Sequence, residues 1–313
     1  MIVADLVVVA SGRHSRLPEW LTELGFAAPR ETVVNSFQGY ASRIYQPPKE
    51  RCVGWKFLYI QQAPPDEPRG GLVSVIEDGR WLVSLIGGDG DRPPTGESGF
   101  LAFARSLRSP AIYEAIRDAE PLSPIFGHRG TENRLRHYDR LWRFPEGLVA
   151  LGDATCSFNP VYGQGMTCAL IGVEVLDRWL REGALHLNSA STSEFQRSLA
   201  RATKPAWSFA TGADYGFRTV EAPRQARSAR LIGCYLRLVM GASTRRPWLR
   251  VRWAEVLHML RPPLALVSPR VVATLIWDWL ATRKAEGARS RAPGASGEPS
   301  AVFGGRRDAL RSA

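Results

Sequence analysis

Leu148–Met166 reads LVALGDATCSFNPVYGQGM: a short apolar run, an acid, a proline, then two glycines where a longer apolar run begins. Leu148–Leu151 has the length and composition of a buried strand. Residues 163–182, GQGMTCALIGVEVLDRWLRE, suit a helix that is apolar nearly all round at first and polar later, so its N-terminal half is expected to be buried. A strand that delivers an acid at its carboxyl end and turns through glycines into a helix is how α/β proteins build a nucleotide site. Asp153 would accept hydrogen bonds from hydroxyls, and Gly163 and Gly165 would let a flat or phosphorylated ligand approach the backbone, since no Cβ stands in the way. Pro160 stiffens the approach, and the free N–H groups at the helix start favour an anionic group. The plainer reading is a strand, a loop and a helix start with an ordinary capping acid, and the pattern alone leaves both open.

Upstream, ADLVVVAS is a second buried strand, and SRLPEWLTELG a short helix opened by Ser15 and closed by Gly25. VVNSFQGYASRIYQ, VGWKFLYIQQ and LVSVIEDGRWLVSLIGG are rich in β formers, and Asp78-Gly79 between two apolar runs signals a hairpin. These predict a largely antiparallel sheet, followed by helices in GESGFLAFARSL and SPAIYEAIRDAE. Downstream, residues 193–216, 228–240, 251–260 and 268–284 read as helices separated by Arg-Pro, Pro-Pro and Ser-Pro breaks. Beyond Lys284 the Ala, Gly, Ser, Pro and Arg composition cannot offset ordering entropy, which predicts a disordered tail. The fold class is α/β with α+β character.

With 313 residues, 44% of them hydrophobic, the chain can bury a substantial core. The net charge of +11 is local: residues 1–200 hold 21 basic and 23 acidic groups, whereas residues 201–283 hold 14 and 4. No zinc-finger, RNP or helix-turn-helix pattern accompanies the basic segment, so nucleic acid is not expected as a partner. Residues 245–283 interleave arginines with Trp248, Trp253, Trp277 and Trp279. That pattern fits helices packed on the sheet with arginines in water, and it also fits a peripheral lipid contact. Cys52, Cys156, Cys168 and Cys234 show no paired spacing, and the five histidines show no ligand spacing, so neither disulfides nor a metal site are expected. No leader and no apolar run long enough to span a bilayer is seen, and a cytoplasmic location is the simplest expectation. Trp55, Trp81 and Tyr59 fall on sheet strands, where aromatics are ordinarily core, with one or two candidates for lining a pocket.

GDATCSFNPVYGQGM resembles the second flavin-binding motif of the FAD-dependent monooxygenases of the aromatic-hydroxylase type, written G-D-A, then a Pro, then G-x-G-M. The match falls on Gly152, Asp153, Ala154, Pro160, Gly163, Gly165 and Met166. The resemblance implies that Asp153 holds the polyol region of FAD and that amides near Gly165 and Met166 face its pyrimidine oxygen. ADLVVVASGRHSRLPEWL is similar to a second segment of that family, with Ala10, Ser11, Gly12, Ser15 and Arg16 in the matching places. Gly12 is the cofactor-binding candidate there. Many hydroxylases carry an Asp where this chain has Ser11.

No G-x-G-x-x-G follows a predicted strand, and Gly87-Gly88-Asp89-Gly90 reads as a turn. In the resembled family a βαβ unit of roughly 30 residues supplies that motif. The implied architecture is an incomplete FAD-binding Rossmann-like layer in residues 1–30 and 142–190. A β-sheet substrate domain in 31–141, a C-terminal helical region in 191–283 and a tail in 284–313 complete it. A truncated product, a misplaced start and a subunit completed by a complementing chain all remain open. The implied function is FAD-dependent oxidation, foremost hydroxylase or epoxidase monooxygenation of a small hydrophobic organic substrate with O2 and NAD(P)H as electron donor. A flavin reductase or halogenase-like enzyme and a non-catalytic remnant are the alternatives. No catalytic side chain is assigned.

Overall fold

A computed structural model of the chain describes residues 3–48, 53–182 and 188–289, so Cys52, His186 and residues 290–313 lie outside it. Two compact units are present: Met1–Leu236 with Leu257–Arg261, and Arg237–Val256 with Pro262–Ala313. The regions expected at 1–30 with 142–190 and at 31–141 both fall within the first unit.

In the first unit, β1 (Val7–Val9) pairs in parallel with β10 (Leu148–Ala150), Val9 opposite Ala150. This is the strand pair expected from the two apolar runs. A parallel pair cannot be closed by a hairpin, and here 138 residues separate the two strands. Between them the chain builds the antiparallel sheet. Strands β4 (Phe57–Ile60), β5 (Arg69–Val75), β6 (Trp81–Gly87), β3 (Gly39–Gln46) and β7 (Glu120–Pro121) lie in that order, and β8 (Phe126–His128) also pairs with β3. The β5–β6 hairpin turns at Glu77–Gly79, where Asp78 takes φ 60°. Gly88–Asp91 is a turn, with Asp91 N–H donating to the Gly88 carbonyl at 2.9 Å.

One face of this sheet packs on α2 (Glu97–Arg105) and α3 (Ala111–Ile116), burying Tyr45, Val73, Trp81, Val83, Leu85, Phe100 and Ile112. Trp81 belongs to this core and Trp55 packs against it, so the ordinary reading of both tryptophans holds. Tyr59 stands on the opposite face. A smaller antiparallel sheet of β2 (Glu31–Val34), β9 (Asn133–Arg136) and β11 (Cys156–Ser157) joins that region to the β1–β10 pair. Helix α1 (Leu17–Glu23) buries Leu17 and Leu21 with Val9 and Ala150.

Helix α4 (Gly165–Arg181) departs from expectation. Its N-terminal half buries only Cys168 and Gly172, and leaves Met166 83% and Leu170 67% exposed. The helix rests on one face only. A Cβ at Gly172 would stand 2.7 Å from Leu151 Cδ1 and 3.2 Å from Leu199 Cδ1, so that face is tight, while Met166, Leu170 and Val173 stay exposed. Helix α5 (Ser189–Asp214) runs through an internal Pro205 and packs Phe195 and Leu199 against Val149 and Leu151.

Helices α6 (Arg227–Ser243), α7 (Pro247–Leu257) and α8 (Pro269–Arg289) follow the expected breaks. The last continues to Arg289, into the first residues of the segment expected to be a disordered tail; residues 290–313 of that segment lie outside the described residues. Within the second unit Asp278 accepts from Arg246 at 2.7 Å, and the Arg270 guanidinium lies 4.3 Å over Trp248. No helix among the described residues is long and apolar enough to cross a membrane.

Candidate functional site

Because β1 and β10 are parallel neighbours, the segments after them leave from the same end of the pair. Leu151 N–H still donates to the Val9 carbonyl at 3.0 Å, and three residues further on each strand stand Gly12 and Asp153. This is the place where open α/β sheets bind ligands. Gly12 (φ 78°) has open space where a Cβ would be. Gly152 (φ 61°) opens the turn that carries Asp153.

Asp153 is half-buried, and its carboxylate makes no hydrogen bond or ion pair among the described residues. Burial pushes its pKa up, partly countered by the Arg13 charge. Its Oδ1 lies 4.0 Å from where a Cβ on Gly165 would stand, so the acid sits beside the first residue of α4. The N–H groups of Gly165, Met166 and Thr167 find no acceptor among the described residues, as the first turn of a helix requires unless a ligand or cap supplies one. Gln164 precedes the helix without a side-chain cap. Before it, Pro160–Tyr162 forms a tight turn that Asn159 caps through Val161 N–H at 3.2 Å, and Gly163 (φ 65°) ends it with open space around its Cα. Gly152, Asp153 and Gly165 are thus brought together, with Pro160 and Gly163 on the entry to the helix. The Met166 side chain points to solvent, leaving its backbone as the part able to act here.

These features fit FAD: an unpartnered acid for hydroxyl donors, unused amides at a helix start and Cβ-free surface on either side. Among the described residues no cluster of His, Cys, Asp or Glu could hold a metal.

Sequence reasoning missed the residues that fix this geometry. Arg136, 8% exposed, donates to the carbonyls of Arg13 (3.0 Å) and Ala154 (3.1 Å) and to Glu31 Oε1 (2.8 Å). One guanidinium therefore ties the loop after β1 to the loop after β10. Arg13 in turn donates to the Phe158 carbonyl at 3.0 Å. Beneath the Pro160–Gly163 turn, Tyr162 donates to Asp214, which is fully buried and also accepts from Ser36, Gln38 and Asn133. Tyr40 donates to Asn159 Oδ1 and accepts from Val161 N–H at 3.1 Å, linking the turn to β3. From Tyr40 the free face of the large sheet opens: Tyr59, Leu72, Ser84, Ser42 and Phe126 form one row across five strands.

No protein-family profile matches the sequence. Protein Rv3254 of Mycobacterium tuberculosis (strain ATCC 25618 / H37Rv) is 31% identical over 283 residues, covering 89% of this chain and 59% of that protein. The chain thus spans 59% of the length of the curated relative it matches. Among solved structures, the flavin-dependent brominase Bmp2 superposes with TM-score 0.54 at 13% identity, over 92% of this chain and 64% of that one. A flavoprotein/dehydrogenase from Cytophaga hutchinsonii gives 0.54 at 16%, over 90% and 62%. At such identities the likeness is one of fold. The chain is built on the expected α/β plan with antiparallel sheets, and shares that fold with these two proteins.

Proposed function

We propose that this chain forms part of an FAD-dependent oxidoreductase, foremost a monooxygenase acting on a small hydrophobic organic substrate. The observation that carries the reading is the unpartnered carboxylate of Asp153 beside the open amides of Gly165 and Met166. In this reading Asp153 accepts hydrogen bonds from the polyol of FAD, and the α4 N-terminus faces the electron-rich edge of its ring. Gly12, Gly152, Pro160 and Gly163 shape the surface that lets the cofactor lie against the backbone. FAD supplies two-electron redox chemistry with O2, and NAD(P)H is the proposed electron donor. The protein's own part is to orient and to exclude water. The substrate would lie on the free sheet face, where Tyr59, Leu72 and Phe126 give apolar contact and Ser42 and Ser84 give hydroxyls. A segment bearing G-x-G-x-x-G, on a longer form or on a complementing chain, would hold the adenosine side of FAD. Arginines and exposed Trp277 support a peripheral contact of the second unit with anionic lipid.

The test is titration of the purified protein with FAD, followed by flavin absorbance and fluorescence. Binding should weaken by roughly tenfold or more in Asp153→Ala, the scale of one lost hydrogen bond to a charged group. Unchanged affinity, or a preparation that stays colourless with FAD, overturns the assignment in favour of a non-catalytic module. Substrate-stimulated NADPH oxidation with oxygen incorporation separates monooxygenase from reductase, and halide incorporation identifies a halogenase.

A further inference from the structure

A second recess lies away from the Asp153 cradle. It has a volume of about 550 Å³, within the range of small-molecule sites, and none of the cradle residues line it. One wall is α5, where Arg197, Arg201 and Lys204 follow at helical spacing along one face. The other wall is the end of β9 and the turn after it, carrying His137, Asp139 and Arg140. Trp207, whose ring is tilted at 54° to that of Phe158, also lines the recess.

Charge across this recess is poorly balanced. Arg197 and Arg201 share one carboxylate, Glu194, at 3.2 and 3.1 Å. Arg140 reaches only Asp139, at 4.0 Å, and Lys204 makes no ion pair or hydrogen bond among the described residues. Four cations thus face two carboxylates, an excess of two positive charges on opposing walls. The buried His137 adds none: its Nε2 lies 2.7 Å from Thr32 Oγ1, and burial together with the Arg140 charge lowers its pKa. A solvated helix face would not need a second cationic wall opposite. Pro205 stands in the same turn and has no N–H to give the Arg201 carbonyl, a costly choice for a helix interior unless local shape matters there.

We propose that this recess binds a phosphomonoester carried on a flat, partly apolar group. A phosphomonoester brings close to two negative charges at neutral pH, which matches the excess, and accepts hydrogen bonds from arginine and lysine together. Trp207 offers its ring to the flat part. The site is separate from the flavin cradle and stands or falls without it.

The experiment is calorimetric titration of the full chain with 4-nitrophenyl phosphate, inorganic phosphate and 4-nitrophenol. The expected result is one site for 4-nitrophenyl phosphate, weaker binding of inorganic phosphate, none of 4-nitrophenol, and loss of affinity as salt rises. Lys204→Glu and Arg140→Glu, both at exposed positions, should each raise the dissociation constant about tenfold. Asp153→Ala and Lys56→Glu, elsewhere on the molecule, should leave it unchanged. No binding by the wild-type chain overturns the proposal. So does binding indifferent to Lys204→Glu and Lys204→Ala, or binding weakened equally by Lys56→Glu.

Discussion

Tyr162 donates its phenolic hydrogen to Asp214 across 2.6 Å. Asp214 is the last residue of α5, so the helix dipole disfavours its charge, and burial pushes its pKa up to about 6. Four donors, from Tyr162, Ser36, Gln38 and Asn133, pull the other way without cancelling burial. A folded-state value above the ordinary value of about 3.9 means the native state holds the proton more tightly than the unfolded chain. Stability from this group is full below about pH 4 and fades as pH rises to about 6, by on the order of 3 kcal/mol. Urea unfolding of wild type and Asp214→Asn across that window should show the decline in the first and not in the second, so that the difference between them carries it. Parallel curves for the two proteins would remove the basis for a perturbed Asp214.

Asp153 carries the opposite consequence for ligand binding. Burial raises its pKa, while hydroxyl donors from a ligand favour the ionised form. FAD affinity should therefore fall on acidification at a pH above that of an ordinary Asp. Asp153→Asn should bind FAD more weakly at neutral pH and show a flatter profile. Fluorescence titrations between pH 4 and 8 measure both.

Arg136 should be the least replaceable side chain near the cradle. Arg136→Ala leaves two loop carbonyls without their donor and takes one of two arginines from Glu31, which keeps Arg134; each buried polar group left unsatisfied costs about 1–3 kcal/mol. Arg136→Lys should recover little, because one ammonium cannot span the carbonyls of Arg13 and Ala154 as a planar fork does. Denaturant midpoints give the stability, and FAD titration of the folded fraction shows whether the two loops still meet.

These long-range ties explain what the sequence could and could not disclose. The hairpin at Asp78-Gly79, the two strands that became β1 and β10, and the glycine-led start of α4 are written in adjacent residues, so local pattern suffices. Ser36 and Asp214 stand 178 positions apart, and Arg136 stands 123 from Arg13. No periodicity announces such partners. The burial of α4 departs from its sequence pattern for a related reason: an apolar sequence shows what a helix is able to bury, whereas its neighbours determine what it does bury. Asp153 and Gly165 were legible together because only eleven residues lie between them.

Gly163 tests the turn itself. At φ 65° with open space around it, an added methyl meets no neighbour, so Gly163→Ala isolates the backbone penalty of about 1–2 kcal/mol. Gly163→Asn should lose less, since Asn tolerates this conformation. Thermal melts compare the two. Equal losses would mean that the left-handed turn is not what the position demands.

Strand β1 has a hydrogen-bonded neighbour on one side only among the described residues, and Val7 and Val8 are 48% and 39% exposed. On its outer rim the Val8 peptide groups have no partner among the described residues and lie beside part-exposed valine side chains, the combination from which chains template one another. Concentrated solutions of the isolated polypeptide will accumulate strand-linked multimers through this rim, and a charged or proline substitution on it will keep the preparation dispersed.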